Sequence, residues 1–327
     1  MSDKTVLSGM RPTGRLHLGH LHGVLENWKK LQDEYHCLFF VADWHSLTTE
    51  YADPGSVQEN IHEMVVDWLS VGIDPEKAVL FVQSKVKAHA ELHLLLSMIT
   101  PLPWLERVPT YKEQAENLKD KDLSTYGFLG YPLLQSADIL IYKADCVPVG
   151  VDQVPHVEFT REVARRFNNL YGEVLPEPQH LMTKYPKLPG TDGRKMSKSY
   201  NNSIYISDSE EVVAKKLKRA MTDPQRVRRD DPGDPDLCPI YDYHRIYSSS
   251  DQKEFVQNGC KTAGIGCIEC KTILTENVLA ELAPFRARRE KLLKSPGTIR
   301  DIIEAGNKKA CEIAEKTMEE VRGAMKI

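Results

Sequence analysis

The chain has 327 residues and a mass of 37.2 kDa, 41% hydrophobic and 28% charged, enough for about two domains with real cores. Its 43 basic residues against 47 acidic ones leave a net charge of −4, which excludes a uniformly basic coat protein for nucleic acid. No apolar run approaches the roughly 18 residues of a membrane span, and Met1-Ser2-Asp3-Lys4 opens no apolar signal segment, so a cytoplasmic protein is expected.

The first half alternates strand and helix patterns. Thr5 to Gly9 is a short apolar run ending in glycine, which predicts a buried strand. Leu21, Val24, Leu25, Trp28 and Leu31 then recur at helical spacing. Cys37 to Ala42 is apolar throughout, as a parallel strand covered on both faces should be. Asp53-Pro54 opens a helix through Ile61, Met64, Val65, Trp68 and Leu69 that Gly72 stops, and Ala78 to Val82 is a third strand. This rhythm predicts an open parallel sheet. Residues 88–140 read as a mainly helical insert, after which Cys146 to Gly150 forms a strand followed by an amphipathic helix. Pro176 to Ser199 reads as a loop. Ser207-Asp208-Ser209-Glu210 has the capping-box pattern, and the remainder of the chain reads as helices. The predicted fold is α/β: a Rossmann-like parallel-sheet catalytic domain over residues 1–200, then an all-helical domain over 201–327.

Two loops carry chemistry. Pro12-Thr13-Gly14-Arg15-Leu16-His17-Leu18-Gly19-His20 lies at the first strand-to-helix turn, where free helix N–H groups receive phosphates. Its glycine spacing fits neither the dinucleotide fingerprint nor a Walker loop. His17 and His20 can donate to phosphate oxygens, while Gly19 lets a base lie against bare backbone. Lys195-Met196-Ser197-Lys198-Ser199, preceded by Gly190 and Gly193, can swing two lysines over a triphosphate and neutralise a departing pyrophosphate.

In this order the two loops resemble the signature pair of class I aminoacyl-tRNA synthetases. Tyr131-Pro132-Leu133-Leu134-Gln135-Ser136-Ala137-Asp138 and Val147-Pro148-Val149-Gly150-Val151-Asp152-Gln153, with His156 to Arg161, resemble the tryptophanyl-tRNA synthetase family essentially end to end. The resemblance implies activation of tryptophan by ATP with Mg²⁺, transfer to tRNA(Trp), a homodimer, and an anticodon-recognition role for the helical domain. It implies catalytic roles for His17, His20, Lys195 and Lys198. It surrounds ATP with Arg11, Pro12, Thr13, Gly19, His20, Gly150, Val151, Asp152, Leu188 and the Lys195, Met196, Ser197, Lys198, Ser199 loop. Around tryptophan it places Asp138, Tyr131, Gln135, Gln153 and Leu7. The residue logic agrees: an indole N–H is only a donor, and a buried carboxylate at Asp138 is an apt acceptor.

Tyrosyl-tRNA synthetases share both loops, but that family commonly carries a tyrosine where Leu7 stands, and leucine cannot hydrogen-bond. His20 and Gln135 depart from the Asn and Met frequent in the tryptophan family. A non-tRNA nucleotidyl transferase would explain the first loop but neither Asp138 nor the helical third. A non-catalytic relative would not need His17, His20, Lys195 and Lys198.

Basic groups for tRNA phosphates are expected among Lys215, Lys216, Lys218 and Arg219, among Arg226, Arg228 and Arg229, and among Arg286, Arg288 and Arg289. Of the seven cysteines, Cys238-x21-Cys260-x6-Cys267-x2-Cys270 form a cluster that argues for a metal site rather than a disulfide framework. Spacing alone leaves zinc and iron–sulfur open. The resemblance to some bacterial members favours a 4Fe–4S cluster, with zinc second.

Overall fold

The computed structural model describes residues 2–109, 123–182 and 188–327. Among the described residues, five parallel strands form one sheet in the order β3-β2-β1-β4-β5. They are β1 (Thr5–Met10), β2 (His36–Val41), β3 (Ala78–Val82), β4 (Cys146–Val149) and β5 (Gln179–Met182). The first four fall where the apolar runs predict them. β5 corrects the expectation of a loop from Pro176 to Ser199: its edge position leaves Gln179–Met182 half-exposed, so no apolar run announces it. Register with β4 supplies the missing order.

Side-chain alternation divides the sheet between two cores. Val6, Phe39 and Val41 face one side, where Trp28 stacks on Phe39 at 4.2 Å and meets Trp68 edge-on. Leu7, Leu38 and Phe40 face the other. Burying each such side chain stabilises the fold by about 1.5–3 kcal/mol.

Between β1 and β2 run the helical turn α1 (Leu18–His20), a π-helical stretch (Leu21–Leu25) and α2 (Glu26–Glu34). α3 (Asp43–Glu50) and α4 (Val57–Val71) connect β2 to β3, and Gly72 stops α4 at φ 105°, a value that favours glycine. The insert contains α5 (Ala88–Ser97), α6 (Leu102–Glu106), α7 (Tyr126–Leu129) and α8 (Tyr131–Ile141). Its expected helical reading at 110–122 lies outside the described residues. α9 (Val154–Tyr171) follows β4.

The last third is mainly helical, with α10 (Glu210–Arg219), α11 (Pro239–Tyr247), α12 (Ser250–Lys261), α13 (Cys267–Leu293) and α14 (Pro296–Met325), but residues 220–238 form a loop broken only by a 3-10 turn at Pro235–Leu237. The cap of α10 is Ser209, whose side chain accepts from Val212 N, and not Ser207. Asp208 is instead buried and ion-paired with Arg15 and Lys216 at 2.8 and 2.7 Å. α14 packs back along β3: a side chain at Gly306 would meet Leu80 O at 1.8 Å, and Asn307 Oδ1 accepts Val82 N–H at 2.9 Å. The edge strand is thereby covered.

Candidate active site

In an open α/β sheet, ligands settle beyond the carboxyl ends of the strands where strand order reverses. Here β1 lies between β2 and β4, and a cavity of about 590 Å³ opens at that point. Leu7, Arg11, His20, Tyr131, Gln135, Asp138, Gly150, Asp152 and Gln153, all expected site residues, line it. Val151 is 73% exposed and outside that lining, as are Pro12, Thr13, His17, Gly19, Leu188 and the Lys195–Ser199 loop. Leu188 and Met196 instead belong to the apolar core beneath.

The two signature loops are joined. Leu18 N donates to Ile204 O and Ile206 N to Leu16 O, so the turn pairs with the segment following the lysine loop. Leu16 N also donates to Asp67 Oδ2, and Arg289 on α13 donates to Asp67 Oδ1 at 2.9 Å. The rings of His17 and His20 lie 3.8 Å apart. Burial, then the nearby Lys198 charge, lowers His17 to about 4; burial, His17 and Lys198 hold His20 well below its usual value. Both are neutral imidazoles. His17 N–H donates to His20 Nδ1 at 3.2 Å, so His20 carries its proton on Nε2 and can donate it.

Asn202 scaffolds the lysine loop. Its Oδ1 accepts Ser197 N–H at 2.8 Å, and its Nδ2 donates to Lys195 O and Asp192 Oδ1. Lys198 Nζ donates to Thr13 O at 2.7 Å, and burial lowers its pKa to about 8. Lys195 is exposed. One lysine already reaches the turn, while the other stands in solvent.

At the opposite end, Asp138 is 1% exposed on α8. His45 Nε2 lies 2.7 Å from Oδ2, His89 Nδ1 lies 2.6 Å from Oδ1, and Gln83 Nε2 donates to both oxygens. Burial alone would raise the carboxyl, but the hydrogen bonds from His45 and His89 outweigh it and hold the pKa at about 2. A carboxylate held by fixed donors stays charged although it is buried. Sequence reasoning missed His45, Gln83, His89 and Asn202. For His45 a signal existed, because it follows directly on the carboxyl end of β2.

The arginines expected to face tRNA also make bonds within the chain, while Arg228, Arg229 and Arg288 remain exposed. Arg289 pairs with Asp67 and Glu63, Arg288 donates to Ser70 O, and Arg286 pairs with Glu210. Arg226 and Arg229 donate to carbonyls at Ile265 and Ala263 beside the cysteines. They hold elements together.

A parallel α/β sheet with a paired His-x-Gly-His turn and lysine loop defines a nucleotide-activating enzyme. The chain belongs to the family described as tRNA synthetases class I (W and Y), whose model matches residues 2–283. It is 57% identical to the tryptophan–tRNA ligase of Thermotoga maritima, covering 98% of this chain and 99% of that one. It is 49% identical to that of Ralstonia nicotianae, covering 99% of each. Among solved structures, the tryptophanyl-tRNA synthetase of Campylobacter jejuni complexed with ADP and tryptophan is similar at TM-score 0.89 and 33% identity, over 99% of this chain and all of that chain.

Proposed function

We infer that this chain activates L-tryptophan with ATP, forming tryptophanyl-adenylate and pyrophosphate, and passes the tryptophanyl group to tRNA(Trp) with release of AMP. The observation that carries this reading is Asp138: a buried, charged acceptor in the cavity wall, which Leu7 lines as well where a hydroxyl-bearing side chain would suit a phenol. An indole N–H satisfies such an acceptor.

The amino-acid carboxylate attacks the α-phosphorus in line, and pyrophosphate leaves. A hydroxyl of the terminal adenosine of tRNA then attacks the activated carbonyl carbon, and AMP leaves. Positioning and charge stabilisation carry the first step. His20, with His17 behind it, donates to the phosphates; Lys198 and Lys195 neutralise the departing pyrophosphate. Arg11, Pro12, Thr13, Gly19, Gly150, Val151, Asp152, Leu188, Met196, Ser197 and Ser199 complete the ATP side in this reading. Tyr131, Gln135, Gln153 and Leu7 complete the tryptophan side. Mg²⁺ enters with the nucleotide, held mainly by phosphate oxygens and water. A homodimer fits the apolar side chains Leu94, Met98, Leu102 and Tyr126, left exposed between α5 and α7. Among the described residues no helix is long and apolar enough to cross a membrane. The test is ATP–pyrophosphate exchange with each of the twenty amino acids. Tryptophan alone should drive it; exchange driven by tyrosine and indifferent to tryptophan would overturn the assignment.

The four cysteines support a resident 4Fe–4S cluster held by Cys238, Cys260, Cys267 and Cys270. All four are half-buried, Cys238 and Cys270 against the small core of Tyr241, Val256 and Ile265. Burial, then the three other thiols, pushes Cys270 up to about 12, as expected for soft donors gathered in an apolar place. Any side chain at Gly233 would reach within 2.7 Å of Cys260 Sγ, so the chain there leaves that sulfur room. Bound there, it would tie α11, α12 and α13 together. Protein purified without oxygen should be brown and carry about four irons per chain; a colourless preparation with one zinc per chain would overturn the cluster alone.

A further inference from the structure

Behind Asp138 lies a polar cluster that mostly never reaches the cavity. Of its three donors, His45 lines the cavity wall, whereas Gln83 and His89 are fully buried and outside it. His89 is enclosed by the rings of Phe40, Phe81 and Tyr142. Its Nδ1 faces Asp138 Oδ1 at 2.6 Å and its Nε2 faces Tyr142 Oη at 2.8 Å. Opposite a carboxylate, Nδ1 must carry the proton. In the tautomer with its proton on Nδ1, Nε2 is bare and accepts the Tyr142 O–H. The hydroxyl thus selects the tautomer that anchors the carboxylate.

Gln83 is fixed the same way: its Oε1 accepts Trp44 N–H at 3.1 Å, which turns its Nε2 toward Asp138. A carboxylate offers about four acceptor positions. Three protein donors make four hydrogen bonds to it, the Gln83 amide being shared between the two oxygens, and set the plane of the group. Asp138 and His45 both line the cavity, whereas Gln83 and His89 do not, so a substrate donor meets the carboxylate from the His45 side. Neither His89 nor Tyr142 touches substrate in this arrangement.

We propose that His89 and Tyr142 are positioning residues for indole recognition: the Tyr142 hydroxyl holds His89 in the tautomer whose Nδ1–H anchors Asp138 Oδ1, so that the carboxylate is presented to the substrate N–H. This rests on Asp138 being the tryptophan reader.

The test compares ATP–pyrophosphate exchange with tryptophan and with β-(3-benzothienyl)alanine, which has the same shape but sulfur in place of the N–H. The readout is the ratio of the two kcat/KM values. His89→Leu removes a charge-assisted hydrogen bond and should lower that ratio roughly tenfold. The loss should sit in KM for tryptophan, with the analogue's kinetics and KM for ATP unchanged. Tyr142→Phe, which removes one oxygen, should lower the ratio roughly threefold. His89→Asn puts an amide N–H near the place of Nδ1 and should restore most of the discrimination.

A parallel loss for both substrates in His89→Leu or Tyr142→Phe would reduce the pair to packing and overturn the proposal. So would failure of His89→Asn to restore the ratio. Where His89→Leu does not fold, Tyr142→Phe and His89→Asn decide. Asp138→Asn separates the two levels. An unchanged ratio there overturns the reader itself, whereas a collapsed ratio beside parental His89 and Tyr142 variants overturns the positioning role alone.

Discussion

Asp138→Asn should lower kcat/KM for tryptophan by roughly 10²–10³-fold while KM for ATP stays near the parental value. The reason lies in the donors around it. His45, His89 and Gln83 all point hydrogens at this group, and an amide accepts on one atom only. Tyr142 opposes a change of tautomer at His89, so the amide nitrogen is driven toward the Oδ2 side, where His45 and the substrate meet. The indole N–H then faces a donor or a neutral oxygen instead of a charge. Stripping the charge also weakens every remaining bond to about half. Steady-state exchange at varied tryptophan and varied ATP checks this; unchanged tryptophan kinetics would place the reader elsewhere.

The second large effect is expected at the lysine loop. Lys198→Ala should slow single-turnover formation of the adenylate by roughly 10²–10³-fold, the usual loss on removing a group aimed at developing charge. Tryptophan binding should persist, because the charge matters most once pyrophosphate begins to leave. Lys195→Ala should act in the same direction. Lys198 has a further signature, since burial lowers its pKa to about 8. Below that value the amine is charged and attracts ATP; above it the charge is lost. The free enzyme's pKa governs kcat/KM, so kcat/KM for ATP should fall as pH rises through about 8. In Lys198→Ala that limb should be absent. A parental single-turnover rate in both lysine variants would refute the mobile-loop role.

How much of this was legible depends on how many residues each feature needs. β1 to β4 announce themselves because strands covered on both faces are apolar along their whole length. β5 is an edge strand and carries no such run. Asp138 stands out as a lone acid among Leu133, Leu134, Ala137 and Ile139 on a helix. Its partners do not: His45, Gln83 and His89 are single polar residues on separate elements, and they acquire meaning only by convergence. The arginines show the converse. Arg286 and Arg289 look like a phosphate-binding run, yet their partners Glu210, Glu63 and Asp67 are remote in sequence. Charge in a row predicts a solvated face only when nothing distant is folded against it.

The covering of β3 by α14 sets an order on how the molecule is made. Strands β1 to β4 and their connecting helices leave the ribosome first, yet the exposed rim of β3 lacks the acceptor for Val82 N–H until Asn307 has emerged. Ala310, Ala314, Met318 and Val321 complete the core under that rim at a still later moment. The nascent sheet must therefore wait with an open, sticky margin while more than a hundred further residues are polymerised. An enzyme that charges tRNA for the ribosome closes its own sheet only after the ribosome has made Asn307 and the helix around it.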